Sequence, residues 1–358
     1  FSNFGDPGGG ASFLIITHRS LGGSANAYKQ YRDTCTLNPQ TAKVVFTDEI
    51  YDEFGSGTIT PLAIKRFCKY ALDNWTTQPK YFLLWGKGQF MTRDHQYNLV
   101  PTFGYPANDY DFVSDFDQYQ IDVVPAASIG RVNAYNDADG FLYLAKANEY
   151  EHSPWTPWMK ESVYLGGGND STEQRPIFNY LLHYMNLWES PPLGGHGNYY
   201  QKFNTGELTN SNMTATQRIN AGANVIHFFG HSSNNIYDVD IQEPSLYLNY
   251  GKYPMMIAFG CYGGNFAGDN KSFGERFVLS ENRGSIGYLA NSTAGYLTPL
   301  GNFGEKLYPQ LSDSAYGLPF GEQVRRSIRD FAAVWTDQVY TNPPQQNKLL
   351  GVVGIKLT

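Results

Sequence analysis

Short, continuously apolar segments alternate with segments of helical periodicity along this chain, and this alternation limits the fold more than any other feature. The clearest apolar segments are SFLIITH (12–18), KYFLLWG (80–86), NVIHFFG (224–230) and YPMMIAFG (253–260). The segment TPLAIKRFCKYALDNW is typical of a helix that has Thr60 as its cap and Pro61 in its first turn. Because strands that are apolar along their whole length are covered on both faces, we predict an α/β fold of mostly parallel sheets flanked by helices.

The Pro- and Trp-rich segment HSPWTPW (152–158) divides this alternation into two parts. We predict two α/β subdomains, residues 1–152 and residues 159–358, and the length of the chain is sufficient for a sizeable core in each. In the first part AKVVFTD (42–48) is predicted to be a strand. In the second part we predict helices over 173–187 and 317–335 and a closing strand, LLGVVGIKL (349–357).

Charge and hydropathy exclude two classes of protein. The net charge is −7 and no run of Lys and Arg occurs, so the electrostatic surface that binds nucleic acid is missing. No apolar run reaches the roughly 18 residues of a membrane-spanning helix. No signal peptide opens the chain, and we expect a mature domain taken from a longer protein.

The chain has three cysteines, whose spacing fits neither a disulfide framework nor a zinc site. Cys68 lies on the apolar stripe of a predicted helix and is interpreted as a core residue. Cys35 follows a predicted helix and is interpreted as a bystander, with a Cys35–Cys68 bridge left open as an alternative. Cys261 differs from both because it directly follows an apolar strand and a glycine.

His231 and Cys261 each follow an apolar run that ends in glycine, in FFGHSS (228–233) and IAFGCYGG (257–264). In open parallel sheets, ligands bind beyond the carboxyl ends of the strands, and the linker 232–252 is long enough for a crossover between neighbouring strands. If these strands are neighbours, an imidazole and a thiol share one edge, as a cysteine nucleophile with a histidine acid/base requires. Backbone N–H groups of Gly230, Ser232 and Cys261 are the predicted oxyanion donors.

Simpler interpretations compete with this one. A single cysteine after a strand is usually a small buried residue, and a single histidine is usually structural. His227 is four residues before His231, but HFFGH lacks the glutamate of a zinc-protease helix, so His227 is assigned to the core or to a supporting role. The acidic segment NDYDFVSDFD (108–117) is a solvated loop, a calcium site or a substrate-pocket wall, in which Asp109 or Asp111 would favour a basic substrate residue.

Several segments together resemble the gingipain family of cysteine peptidases, which belongs to the same broad clan as caspases and legumain. They are VIHFFGHSS, MIAFGCYGGNF, SFGERFVL and RGSIGYLANSTAGY in the second half, and AKVVFTDEIYDEFGSG, PKYFLLWGKGQF and SIGRVNAYNDAD in the first. The resemblance implies a caspase-like fold with Cys261 as nucleophile and His231 as general acid/base. It also implies a wall of the pocket for the residue before the scissile bond around 291–296, with Asn291, Ser292, Thr293 and Tyr296 as contact residues.

The segments of the first half look closest to the sortase branch of the type IX secretion system. That branch implies a location at the bacterial outer membrane or cell surface and work beside other secretion components. It implies cleavage of C-terminal sorting domains from cargo through a cysteine thioester, and transfer of the cargo to lipopolysaccharide. No cofactor is required, and a structural calcium ion stays open. The alternatives are a secreted hydrolytic peptidase and a catalytically silent homologue that acts as a binding module.

The chain departs from the family pattern at three places. Ser232 stands where the family commonly has glycine after the histidine, and GVVG (351–354) replaces the more usual Gly-Asp-Pro. Ala126 lies near the place where the family often carries an acid that orients the histidine. The enzyme then works as a dyad, or another acid such as Asp122 or Asp109 takes that role, or activity is weakened.

Overall fold

A computed structural model of the chain describes residue 4, residues 10–35, 37–90, 98–104, 106–114 and 124–334, and the backbone of residues 347–350. The strands are β1 (Phe13–Thr17), β2 (Ala42–Phe46), β3 (Tyr81–Trp85), β4 (Ser128–Val132), β5 (Glu161–Gly166), β6 (His196–Phe203), β7 (Gly206–Thr209), β8 (Val225–Phe229), β9 (Met255–Phe259), β10 (Gly287–Asn291) and β11 (Asn347–Leu350). The α-helices are α1 (Gly22–Thr34), α2 (Thr47–Gly55), α3 (Pro61–Asn74), α4 (Asp137–His152), α5 (Ser171–Glu189), α6 (Ala215–Ala221), α7 (Phe273–Val278), α8 (Leu297–Pro309) and α9 (Phe320–Ala332).

These strands form one sheet in the order β2-β1-β3-β4-β11-β10-β9-β8-β5-β6-β7. The strands β1 to β4 are mutually parallel, and so are β5, β6, β8, β9 and β10. Strand β7 pairs antiparallel with β6, and β11 pairs antiparallel with β10. The predicted α/β fold of mostly parallel strands flanked by helices is therefore confirmed, while the subdomain boundary at residues 152–158 stays a prediction.

The central strands are covered on both faces, as their composition predicts. Every residue of β1, β4, β8, β9 and β10 is buried. Polar side chains that need solvent or a substrate are therefore confined to the turns beyond the strand ends. Helix α3 begins as predicted, because the Thr60 hydroxyl accepts a hydrogen bond from the Leu62 N–H and Pro61 occupies the first turn.

Helix α2, the β6–β7 hairpin and helix α8 differ from the pattern that the sequence predicts. Thr47 and Asp48 begin α2 rather than ending a strand. The β6–β7 hairpin lies at the sheet edge and, unlike the predicted strands, is not continuously apolar. Helix α8 contains Gly301 and Gly304, which usually disfavour helices. A Cβ at Gly301 would lie 2.4 Å from the ring of Tyr180, and one at Gly304 would lie 2.3 Å from the hydroxyl oxygen of Tyr184, both on α5. The absence of a side chain at these glycines therefore permits close helix packing.

The three cysteines are free, and both Cys35 and Cys68 are buried. The assignment of Cys68 to the core is confirmed, and the structure contains no Cys35–Cys68 bridge. Over the ranges given above, none of the helices is apolar over a length that would cross a membrane.

Candidate active site

Strands β8 and β9 are parallel neighbours, which confirms the arrangement that the two glycine-ended runs predict. Their last paired residues are Phe229 and Phe259, and the Gly230 N–H continues the ladder by donating to the Phe259 carbonyl at 3.1 Å. His231 and Cys261 therefore each follow the carboxyl end of their strand by the same two positions. The Ser232 hydroxyl donates to the Cys261 carbonyl at 2.8 Å and joins the two turns.

Steric contacts explain why glycine, rather than a larger residue, ends the run that precedes Cys261. A Cβ at Gly260 would lie 2.2 Å from the Ser232 hydroxyl oxygen and 3.0 Å from the Gly230 carbonyl oxygen. A side chain there would separate the two turns, because real Cβ contacts are not that short. Glycine at this position thus lets the turn that carries the histidine lie directly against the turn that carries the cysteine.

The imidazole of His231 pairs with a carboxylate from the helix that follows the next strand in the sheet. His231 Nε2 lies 2.9 Å from Glu173 Oε2 and 3.0 Å from the side-chain amide of Asn169. Both partners come from the turn between β5 and the first residues of α5, and β5 is the neighbour of β8. In the tautomer with its proton on Nε2, the ring donates to the carboxylate and the Nδ1 lone pair is left for a thiol.

Glu173 is itself held in place. Its carboxylate accepts the Asn169 N–H at 2.8 Å, and this hydrogen bond, followed by the one from His231, lowers the pKa of Glu173 below its ordinary value. The group therefore stays ionised under mildly acidic conditions. An ionised carboxylate at Nε2 orients the ring and stabilises the imidazolium that forms when His231 takes a proton.

Glu173 was missed by the sequence analysis, which looked for the orienting acid elsewhere. Ala126 precedes β4 at its amino end and lines a cavity with Glu322 and Arg325 of α9. Asp122 lies outside the described residues. A signal for Glu173 was present, since the segment GGND (167–170) follows a buried strand and leads directly into the predicted helix (173–187) that contains this glutamate. The sequence alone did not reveal that this strand neighbours β8.

Asp109 also differs from its predicted place. Its two carboxylate oxygens accept hydrogen bonds from Arg131 at 2.9 Å each, and one of them also accepts the Thr102 hydroxyl. Asp109 is buried and the Arg131 side chain is fully buried. Asp109 therefore balances an internal charge, and its predicted contact with a substrate is corrected.

Cys261 is half-buried and lies against the loop that follows β10. The Gly295 N–H points at its sulfur with an N–S distance of 3.4 Å, and the Gly295 carbonyl oxygen is 3.6 Å from the same sulfur. Both backbone groups of Gly295 therefore contact the sulfur and fix its position. The next residue, Tyr262, has a φ of 58°, a left-handed conformation that is rare for a residue with a side chain and is found at strained functional turns.

The predicted oxyanion donors divide into two groups. The Gly230 N–H is used by the β8–β9 ladder, so its predicted role as a donor is corrected. The N–H groups of Ser232 and Cys261 form no hydrogen bond with another described residue. These two N–H groups lie on the joined turns and are the pair that this geometry leaves for a substrate carbonyl oxygen.

The residues predicted to form the substrate pocket differ in exposure. Asn291 is fully buried, and its side-chain amide has no hydrogen-bond partner among the described residues. The buried Ser292 hydroxyl donates to the Ala107 carbonyl at 2.9 Å, and the Thr293 carbonyl accepts the Tyr262 N–H at 2.9 Å. Tyr296 is 57% exposed at the start of α8. Tyr296 is thus the most accessible of them, and contact of this set with a substrate stays a prediction.

His227 lies inside the molecule, as expected of a core residue. Its ring is stacked on Tyr184 and Tyr308, and its Nδ1 is 2.8 Å from the Tyr308 hydroxyl. Burial lowers its pKa to about 3, so the ring is neutral at physiological pH. As for the calcium ion left open by the sequence, the described part of the chain contains no group of three His, Cys, Asp or Glu residues that could hold a metal ion.

Comparisons with known proteins give one matching family and several similar structures. A sequence model of peptidase family C25 matches residues 6–351. The chain is similar in structure to the Arg-specific cysteine proteinase gingipain R (RgpB), with a TM-score of 0.71, 14% identity and coverage of 96% of this chain and 78% of that chain. A complex of the Porphyromonas gingivalis RgpB pro- and mature domains matches with a TM-score of 0.70, 14% identity and 95% and 78% coverage.

Another solved structure is similar to only part of the chain. Dimeric latent PorU from Porphyromonas gingivalis matches with a TM-score of 0.33 and 18% identity, over 39% of this chain and 15% of that one. No curated protein sequence matches the chain. The gingipain structures establish that the fold is caspase-like.

Proposed function

Because this chain belongs to peptidase family C25, we propose that it is an active cysteine endopeptidase with Cys261 as nucleophile and His231 as general acid/base. One observation carries the proposal. His231, paired with Glu173, and Cys261, contacted by the Gly295 N–H, follow the carboxyl ends of neighbouring parallel strands. A nucleophile, a base and a group that orients the base are the parts that such chemistry needs.

The proposed reaction follows from the hydrogen bonds. His231 Nδ1 takes the proton of the Cys261 thiol while Glu173 holds Nε2, and the sulfur attacks the carbonyl carbon of a peptide bond. The N–H groups of Ser232 and Cys261 donate to the developing oxyanion. When the tetrahedral intermediate collapses, the C–N bond breaks and His231 gives its proton to the leaving amine. A thioester on Cys261 remains, and water or another amine attacks it to release the acyl part.

We further propose that the physiological acceptor is an amine, so that the enzyme acts as a sortase of the type IX secretion system at the outer membrane or cell surface. Its substrates would be cargo proteins with C-terminal sorting domains, and its acceptor a surface lipopolysaccharide. Support comes from the first-half segments that resemble that branch and from the thioester, which persists until a nucleophile arrives. Because the chain itself supplies nucleophile and base, this reaction needs no cofactor, and calcium would have only a structural role.

Replacement of the nucleophile gives the first test. We expect Cys261→Ala to abolish cleavage of any protein substrate and to change the thermal midpoint of unfolding little, because Cys261 is half-buried at the end of a turn. The reactivity of the thiol is measured separately in the wild type as its rate of alkylation by iodoacetamide. Full activity in Cys261→Ala would contradict the proposal. A thiol no more reactive than free cysteine would identify a silent homologue.

A second test separates transfer from hydrolysis. The wild type is incubated with cargo that carries a native sorting domain, with and without an added amine acceptor, and the new C-terminus is identified by mass spectrometry. A sortase yields the amine conjugate in preference to the free acid. If the free acid dominates even at high amine concentration, the protein is a hydrolytic peptidase and the sortase proposal is wrong.

A further inference from the structure

We propose that a cavity beside His231 is a subsite for an arginine side chain on the C-terminal side of the scissile bond. This inference rests on the proposed peptidase function and extends it to the substrate class. The cavity has a volume of about 830 Å³ and lies between the ends of β5, β6 and β7 and the segment after His231. Its volume is sufficient for a large side chain, since ligand pockets commonly occupy about 300–1,000 Å³.

The direction of the substrate follows from the order of the strands. Across the sheet the order is β10-β9-β8-β5-β6, so Gly295, Cys261 and His231 follow three successive strands. The leaving amine takes its proton from His231, so the leaving segment starts on the β8 side of the cysteine. The acyl segment then occupies the β10 side, and the leaving segment continues over β5 towards β6, which contributes Tyr200, Lys202 and Phe203 to the cavity lining.

Spacing indicates which residue enters the cavity. Neighbouring strands are about 4.8 Å apart, and Cys261 follows β9, so the region between β5 and β6 lies roughly 12–14 Å from the line of the cysteine. An extended peptide advances about 3.3 Å per residue. The third or fourth residue after the scissile bond therefore reaches the cavity.

The cavity is mainly acidic and partly aromatic. Its lining includes the acids Glu207 and Asp240 and one cation, Lys202, and also Asp238, whose carboxylate lies against the turns after β5 and β8. Glu207 and Asp240 are exposed, and neither forms an ion pair with another residue in the described part of the chain. The rings of Tyr200 and Phe203 complete the wall. A guanidinium pairs with carboxylates in a bidentate manner and also stacks on aromatic rings, which makes arginine a better match than lysine.

Asp238, one of the residues that line the cavity, is hydrogen-bonded directly to His231, the proposed general base. The Asp238 N–H donates to the His231 carbonyl at 3.0 Å, and the Asp238 carboxylate accepts the Gly168 N–H at 2.7 Å. The same carboxylate fills space beside two turns, since a Cβ at Gly167 or Gly230 would lie 2.1 Å or 2.5 Å from its Oδ1. Asp238 thus connects the turn after β5 to the turn after β8. A side chain bound in the cavity is held at a constant position relative to His231.

The experiment compares substrates that differ only after the scissile bond. A cleavage sequence for the wild type is first found by mass spectrometry with a peptide library. Internally quenched peptides of that sequence then carry Arg, Ala or Glu as the third or fourth residue after the bond. Because each partly exposed carboxylate contributes on the order of 1 kcal/mol, we expect kcat/KM to be about tenfold or more higher with Arg than with Glu. We expect Glu207→Gln and Asp240→Asn each to lower that ratio about fivefold.

Two controls separate the outcomes. A substrate in which a dye amine replaces the residues after the bond cannot reach the cavity, so Glu207→Gln and Asp240→Asn are expected to leave its kcat/KM unchanged. Asp73→Asn, an exposed carboxylate on α3, checks for general charge effects. If the wild type cleaves the Arg, Ala and Glu peptides equally, or if both variants keep the full preference for Arg over Glu, the subsite proposal is wrong and the peptidase proposal is unaffected. If the wild type cleaves neither the library nor the dye amide, the peptidase proposal fails first.

Discussion

At the scale of single residues, the Glu173–His231 pair is important for orientation rather than for stability. The two side chains are 35% and 50% exposed, so solvent screens their attraction and the pair contributes little to the free energy of folding. Its effect is on the imidazole, because a proton on Nε2 is held by the carboxylate and the Nδ1 lone pair is left to act as the base.

Glu173→Gln is expected to lower kcat by about 10²-fold, because an amide stabilises the imidazolium less than a carboxylate does. A matched control exists in His183 and Glu305, a pair with an N–O distance of 3.3 Å and nearly equal exposure on α5 and α8. Glu305→Gln removes a similar surface charge without touching His231. Steady-state kinetics and thermal unfolding of both variants test the assignment, and equal kcat values for the two would argue against it.

His227 makes stability depend on pH in a defined window. Its pKa is about 3 in the folded protein and 6.5 ordinarily, so below pH 6.5 the unfolded chain binds a proton that the folded chain does not. Stability from this group is therefore complete above pH 6.5 and falls by about 1.4 kcal/mol for each pH unit as the pH drops towards 3. We expect the pH dependence of the unfolding free energy, measured in urea between pH 7 and 5, to be flatter in His227→Phe.

At the scale of elements, the turn after β10 brings a backbone N–H to the sulfur of Cys261. This turn has no room for a side chain at Gly295, because a Cβ there would lie 2.3 Å from the Asn291 side-chain nitrogen and 2.7 Å from Leu300 Cδ1. The turn is also held to the cysteine loop by the Tyr262 and Gly264 N–H groups, which donate to the carbonyls of Thr293 and Asn291. The two loops thus form one unit around the sulfur.

Gly295→Ala is expected to displace the N–H from the sulfur and to lower the alkylation rate of Cys261 and kcat by about tenfold each, the effect of a lost charge-assisted hydrogen bond. Gly268→Ala is the control, since a Cβ at Gly268 meets nothing within 4 Å and the residue lies on the loop that follows Cys261. The alkylation rate at fixed pH reports on the thiol directly. An unchanged rate in Gly295→Ala would show that this N–H has no influence on the sulfur.

At the scale of the whole molecule, buried polar contacts join the two halves of the chain. Lys87, which follows β3, pairs at 3.0 Å with Glu275 of α7, and both side chains are completely buried. Lys87 also donates to the Phe266 carbonyl on the loop after Cys261. On the other edge, the Lys146 ammonium of α4 donates to the carbonyls of Phe277, Val278, Arg283 and Ser285. The first half therefore supports the loop that carries the nucleophile.

Lys87→Met is expected to lower the free energy of unfolding by about 3–5 kcal/mol, because it leaves the Glu275 carboxylate buried without its counter-charge. The double variant Lys87→Met/Glu275→Gln removes both charges and is expected to recover part of that loss. Urea unfolding of the two single variants and the double variant gives the coupling energy between them. If the losses in unfolding free energy of the two single variants add up to the loss in the double variant, Lys87 and Glu275 do not stabilise each other across the two halves of the chain.

The local pattern was sufficient for most of the elements and for the two reactive residues. Helix α3 and strands β8 and β9 have clear periodicity, caps or apolar runs, and they form where predicted. Helix α8 was missed because its glycines are explained only by the tyrosines of α5 that pack on them. The β6–β7 hairpin was missed because an edge strand is covered less completely than a central one.

The sequence by itself therefore determined the α/β class, the family and the positions of His231 and Cys261 after two strand ends, because these depend on the order of residues within a few turns of chain. The tertiary structure alone decided that Glu173 meets His231, that Asp109 is used internally by Arg131, and that the Gly230 N–H belongs to the ladder. Each of these contacts joins residues that are distant in the chain or depends on which strands are neighbours, and the order of strands in a sheet is not encoded in any single segment.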